Sequence, residues 1–174
     1  DSEDKGARKA AMAALVEKGD LAREWVLTTL EDPTRKWYLK RNALMLLRHV
    51  ARGDGDIDFA RKLFGHPHAR VRDEALGTLV ALKTPDAERL AIKALDDADE
   101  KIRWRAVNAL GELSPLTGES MVKLLSRMRA EPPAEKEPAA RHSRKVTQLI
   151  RAVGSMRSFH EPEAAEAAVL EAAL

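Results

Sequence analysis

Val71-Arg-Asp-Glu-Ala75-Leu-Gly-Thr-Leu79 and Ile102-Arg-Trp-Arg-Ala106-Val-Asn-Ala-Leu110 are two copies of one pattern. In each, arginine follows an aliphatic residue and alanine stands four places after it. The copies then align at Thr78 with Leu79 and at Ala109 with Leu110. Leu39, Ala43, Leu46 and Leu47 trace the same stripe, with Lys40 in the arginine's place. Positions i, i+4, i+7 and i+8 share one face of a 3.6-residue helix. Alternation of period 2 is absent, so no strand is expected.

Outward from these windows the pattern repeats. Ala43, Ala75 and Ala106 are spaced by 32 and 31 residues, and 32 residues before Ala43 stands Ala11. The next step needs 43 residues to reach Leu149. The excess falls in Glu131-Pro-Pro-Ala-Glu-Lys-Glu-Pro138, whose prolines and charges read as an inserted loop and favour a disordered spacer over a binding loop. A second register runs through Leu30, Phe64, Leu95 and Leu125. Each repeat therefore holds two helical segments, A and B, and the chain divides near 5–31, 34–65, 68–97, 99–130 and 139–174. Asp20, Asp56, Thr84 before Pro85, and Thr117 mark expected B-helix starts. A hairpin of this kind cannot bury its apolar face alone. Stacking five of them gives an all-α, right-handed α-solenoid, with the mid-helix alanines allowing close approach.

Composition agrees with this and excludes other classes. Aromatic residues are 4% of the 174 and cysteine is absent, which removes a disulfide framework, a thiolate zinc site and a cysteine nucleophile. Thirty basic and 28 acidic residues leave a net charge of +2, too small for a generally basic nucleic-acid binder. No apolar run reaches the ~20 residues of a membrane span. A cytoplasmic protein is expected. A start without methionine and an end without a polar tail suggest a segment of a longer protein. The abundance of alanine, arginine and glycine suggests a bacterial source.

The aliphatic-Arg pair, the central alanine and the Ala-Leu-Gly ending at 109–111 resemble the HEAT-like repeat, in the short bacterial version of bilin lyase-type proteins. Asp96-Asp-Ala-Asp-Glu100 is similar to that family's acidic inter-repeat turn. The resemblance is carried mainly by the third and fourth repeats and fades at both ends, as terminal caps do. It implies a non-enzymatic partner-binding scaffold with no cofactor, and B helices lining a concave surface. It also implies a structural role for Arg72 and Arg103, as a ladder pairing with acids such as Asp97 or Asp99.

Lys62, Lys93 and Lys123 share one B-segment position, spaced by 31 and 30 residues. On a concave surface they would form a row of ammonium groups suited to an acidic protein or peptide. Asp58, Glu88 and Glu119 lie nearby and dilute that charge. Trp104, between Arg103 and Arg105, is either a partner anchor or a packing residue. The alternative partner is nucleic acid. Residues 34–53 carry bases before any acid appears, and Arg35, Lys36, Lys40 and Arg41 surround Trp37, with Tyr38 beside it. The segment 139–158 repeats the theme with Arg141, Arg144, Lys145, Arg151 and Arg157.

Enzymatic readings find less support. Certain HEAT-like hydroxylases bind iron through several His-Glu pairs, whereas this chain has only His160-Glu161. His66-Pro67-His68 reads as a turn, and no metal is expected. HEAT-like DNA glycosylases set a catalytic aspartate among tryptophans. Trp25, Trp37 and Trp104 are each followed one turn on by Thr29, Arg41 and Asn108. A lyase- or glycosylase-type activity is thus the least supported reading, and no catalytic residue is nominated.

Overall fold

The computed structural model describes residues 2–113, together with 116, 117, 120, 122–124 and 126. Among the described residues there are seven α-helices and no strand. They are α1 (Ser2–Val16), α2 (Asp20–Glu31), α3 (Trp37–Val50), α4 (Asp54–Leu63), α5 (Ala69–Ala81), α6 (Ala87–Ala94) and α7 (Glu100–Glu112). The chain divides into two compact units, Asp1–Leu82 and Lys83–Leu174. The expected loop at 131–138 and the expected pair at 139–174 lie outside the described residues.

In the first unit α3 packs against α2 and α5, and α4 packs against α5. In the second, α6 packs against α7. The stripe residues are interior: Ala43, Ala75 and Ala106 are each 0% exposed. Burial also goes beyond the stripe. Leu44, Leu76 and Val107 are buried as well, because an A helix meets more than one neighbour. Each buried leucine or valine contributes about 1.5–3 kcal/mol relative to exposure.

Thr78 is a buried polar group that is paired. The Thr78 hydroxyl lies 2.8 Å from the Glu74 carbonyl and 3.0 Å from the Leu44 carbonyl of the preceding A helix. It also accepts from Arg48 Nε at 3.3 Å, and Arg48 pairs with Glu74. Thus α3 and α5 are joined by a polar link within an otherwise apolar contact.

The B-helix starts differ from expectation. Asp20 is the first helical residue of α2, not its cap, and pairs with Arg52. The turn before it is made by Gly19, whose φ of 55° suits a residue without Cβ. Helix α4 begins at Asp54, and Asp56 points inward. Its carboxylate accepts from Arg23 Nε and Nη2 at 2.8 and 2.6 Å and from the Arg52 N–H at 2.9 Å, so it ties α2, α4 and the end of α3 together. The Arg23 hydrogen bonds hold the Asp56 carboxyl below its ordinary pKa. Asp86 takes the cap position of α6, while the Thr84 hydroxyl is buried without a partner. The Thr117 hydroxyl accepts from the Ser120 N–H at 3.3 Å.

Helix spacing here depends on the small residues. Ala75→Leu is expected to destabilise the protein by about 1–3 kcal/mol through overpacking, and Leu76→Ala by about 2–5 kcal/mol through a cavity. Urea unfolding followed by circular dichroism checks both.

Candidate functional site

The turns preceding α5 and α7 are built on one scheme. Before α7, Asp97 Oδ1 accepts from the Asp99 N–H at 2.8 Å, and Asp99 Oδ1 accepts from the Lys101 N–H at 2.9 Å. Before α5 the same two places are histidines. His66 Nδ1 accepts from the His68 N–H at 3.0 Å, and His68 Nδ1 accepts from the Arg70 N–H at 3.3 Å. Before α3, Asp32 Oδ1 accepts from the Thr34 N–H at 2.8 Å. Imidazole can replace carboxylate here only as the neutral tautomer with its proton on Nε2.

An arginine in the A helix closes the turn. Arg72 Nη1 donates to the His66 and Pro67 carbonyls, both at 2.9 Å. Arg103 Nη1 donates to the Asp97 and Ala98 carbonyls at 3.0 and 3.2 Å. The ladder therefore bonds the backbone of the turns, where acceptors would otherwise lack partners. Lys40 occupies the equivalent place in α3 with 6% exposure, and its charge acts on Asp32 and His66.

Among the lysines singled out from the sequence, Lys62 lies in the last turn of α4 and Lys93 in that of α6. Both are exposed. The Lys62 ammonium sits 5.6 Å from the Phe59 ring centroid. Lys123 is exposed and pairs with Asp96 at 3.4 Å. Trp104 is half-buried, with its indole N–H donating to Glu100 Oε1 at 3.3 Å.

The basic stretch at the start of α3 is reorganised by the fold. Arg35 pairs with Asp32 at 3.1 Å. Lys36 is exposed at the N-cap position, and no side chain caps this helix. Trp37 is half-buried, and the imidazole of His68 stacks on its ring at 4.0 Å and 11°. The Arg41 and Arg70 guanidinium carbons lie 5.9 and 5.5 Å from the ring centroid. Tyr38, 41% exposed, meets Trp37 edge-on at 5.9 Å. Reading α3 by itself misses His68 and Arg70. The repeat register could have found them, since both follow the Trp37 region by about one repeat.

Other candidates stay apart. Trp25 is exposed on α2. His142 and His160 lie outside the described residues, as does the basic segment 139–158. Among the described residues no group of three or more histidines, aspartates or glutamates could hold a metal. No helix among them is long and apolar enough to cross a membrane.

Helical hairpins at a period near 31 residues, with α5 and α7 each opened by a capped turn and clamped by an arginine, define an α-solenoid repeat protein. Residues 57–143, half of the chain, match the HEAT-repeat family. The chain belongs to that family. A crystal structure of an engineered protein, from a structural genomics consortium, is similar with a TM-score of 0.58 and 17% identity. The match covers 94% of this chain and 72% of that one, and at this identity the likeness is one of fold alone. No curated protein matches the chain significantly. HEAT repeats in general serve as protein–protein interaction scaffolds and are typically non-enzymatic.

The histidine turn makes stability depend on pH. Burial and, after it, the nearby charge of Lys40 lower the His66 pKa from its ordinary 6.5. Below 6.5 the unfolded chain takes up a proton that the folded one resists, so stability present above that value is lost as pH falls. Thermal unfolding between pH 8 and pH 5 is expected to show this loss. His66→Asp, which copies Asp97, is expected to keep the turn and flatten the dependence in that window.

Proposed function

We propose that the chain is a non-enzymatic interaction module that binds an acidic protein or peptide through its B-helix lysines, Lys62 in the first unit and Lys93 and Lys123 in the second. One observation carries the reading. Lys62 and Lys93 hold the same repeat position in the last turns of α4 and α6, both are exposed, and among the described residues neither is ion-paired. Packing explains neither charge. Contact with the Phe59 ring leaves the Lys62 charge in place. The Lys123–Asp96 pair is solvent-exposed on both sides and contributes only about 0–1 kcal/mol, so a partner carboxylate can displace it.

Exposed ammonium groups attract carboxylates generally. Recognition by them is expected to weaken with added salt, because exposed charges are screened over about 10 Å at 0.1 M ionic strength. Lys62→Ala, Lys93→Ala and Lys123→Ala combined should weaken the binding of a fluorescein-labelled oligoglutamate peptide about tenfold, from a loss of roughly 0.5 kcal/mol at each site. Fluorescence anisotropy gives the affinity. An unchanged affinity in the triple variant would sink this reading.

A further inference from the structure

The start of α3 holds a second cationic surface that uses none of these lysines and lies wholly within the first unit. Two guanidiniums, Arg41 and Arg70, flank a single indole ring, Trp37. Their origins are independent: Arg41 belongs to α3, and Arg70 comes from the first turn of α5. Among the described residues neither has a carboxylate partner. Arg41 donates to the neutral Oδ1 of Asn42 at 2.7 and 3.2 Å. No acid stands in the first turn of α3, Lys36 is exposed there, and Lys40, next to Arg41 in the chain, is a further base. Asp32, the acid in the preceding turn, is engaged by Arg35 and Thr34.

Arrangement matters here as much as charge. A guanidinium resting on an aromatic ring is held by the ring's quadrupole, and its planar donors can meet a carboxylate in the bidentate mode; on Arg41 the Nε–Nη2 edge is held by Asn42, which leaves its Nη1–Nη2 end for that contact. The ring itself is fixed by the His68 stack. Both arginines are thus partly ordered before any ligand arrives, which lowers the entropy lost on binding. Tyr38, exposed beside the ring, supplies an apolar flank with a hydroxyl at its tip.

We propose that this α3–α5 corner is a second recognition surface, which takes an acidic peptide segment of a partner protein through carboxylates on Arg41 and Arg70. Charge complementarity fixes the sign of the occupant. Peptide is favoured over nucleic acid on three observations. Trp37 is half-buried and already carries a stacked imidazole, whereas base recognition needs an open aromatic face. The two guanidiniums converge on one ring instead of tracking a phosphate backbone. Lys40, counted from sequence among the contacts, is buried. This surface shares with the B-helix lysines only the acidity of the partner.

The test uses the full chain and two labelled probes of equal charge at equal salt, an oligoglutamate peptide and a single-stranded oligodeoxynucleotide. R41Q/R70Q is expected to weaken peptide binding about tenfold or more. Both side chains reach solvent, and circular dichroism confirms that the variant folds. In W25F/W104F the sole tryptophan is Trp37, and its emission is expected to change on adding peptide. Unchanged peptide affinity in R41Q/R70Q, or unchanged Trp37 emission at saturation, overturns the proposal. Tighter binding of the oligonucleotide than of the peptide, lost in R41Q/R70Q, overturns it in favour of nucleic acid. The combined lysine variant, run alongside, reports on the B-helix reading separately.

Discussion

Six consecutive residues of α5, Ala75 to Val80, are buried, which is more than one full helical turn. Over that stretch the helix has no stripe left for water, and it cannot be stable apart from its neighbours. Most of the local chemistry follows from that enclosure. Alanine at the centre lets α3 approach. Thr78 must find its acceptors inside the protein, and it does so on the backbones of α3 and α5. The exposed ends of the A helices then carry what varies between repeats.

The turns show how far that variation can go without loss of the fold. Carboxylates before α7 and imidazoles before α5 accept from the same backbone N–H positions, and an arginine ties down the carbonyls in both. In these two turns the arginine charges are therefore spent on the backbone. The two cationic surfaces differ in kind. The B-helix lysines are flexible point charges in water, whereas Arg41 and Arg70 are planar donors set against a ring.

The helical repeat was legible because a 3.6-residue period and a spacing near 31 residues are written along one strand of text. Ala43, Ala75 and Ala106 could be picked out in that way, and all three are buried. Burial of Leu44 and Leu76 was less visible, because a single-helix pattern displays one neighbour and these helices have several. The helix starts at Asp20 and Asp56 were misread for a related reason. Aspartate at a helix entrance is a capping signal only when no basic group competes for it, and Arg52 and Arg23 stand one hairpin away. Trp37 and Arg41 were visible as a basic and aromatic stretch. Their meeting with His68 and Arg70 was not, since it is made between repeats and carries no local signature.

His66-Pro67-His68 has the spacing of a two-coordinate chelate, and in an unfolded peptide both imidazoles would be available to a transition-metal ion. In the folded chain each has committed its Nδ1 lone pair to a backbone N–H, which leaves a proton on Nε2. Coordination through either nitrogen would require surrendering the turn that starts α5. The fold thus sequesters a pair of ligands without hiding them from solvent, and adventitious metal uptake by this segment becomes a marker of unfolding.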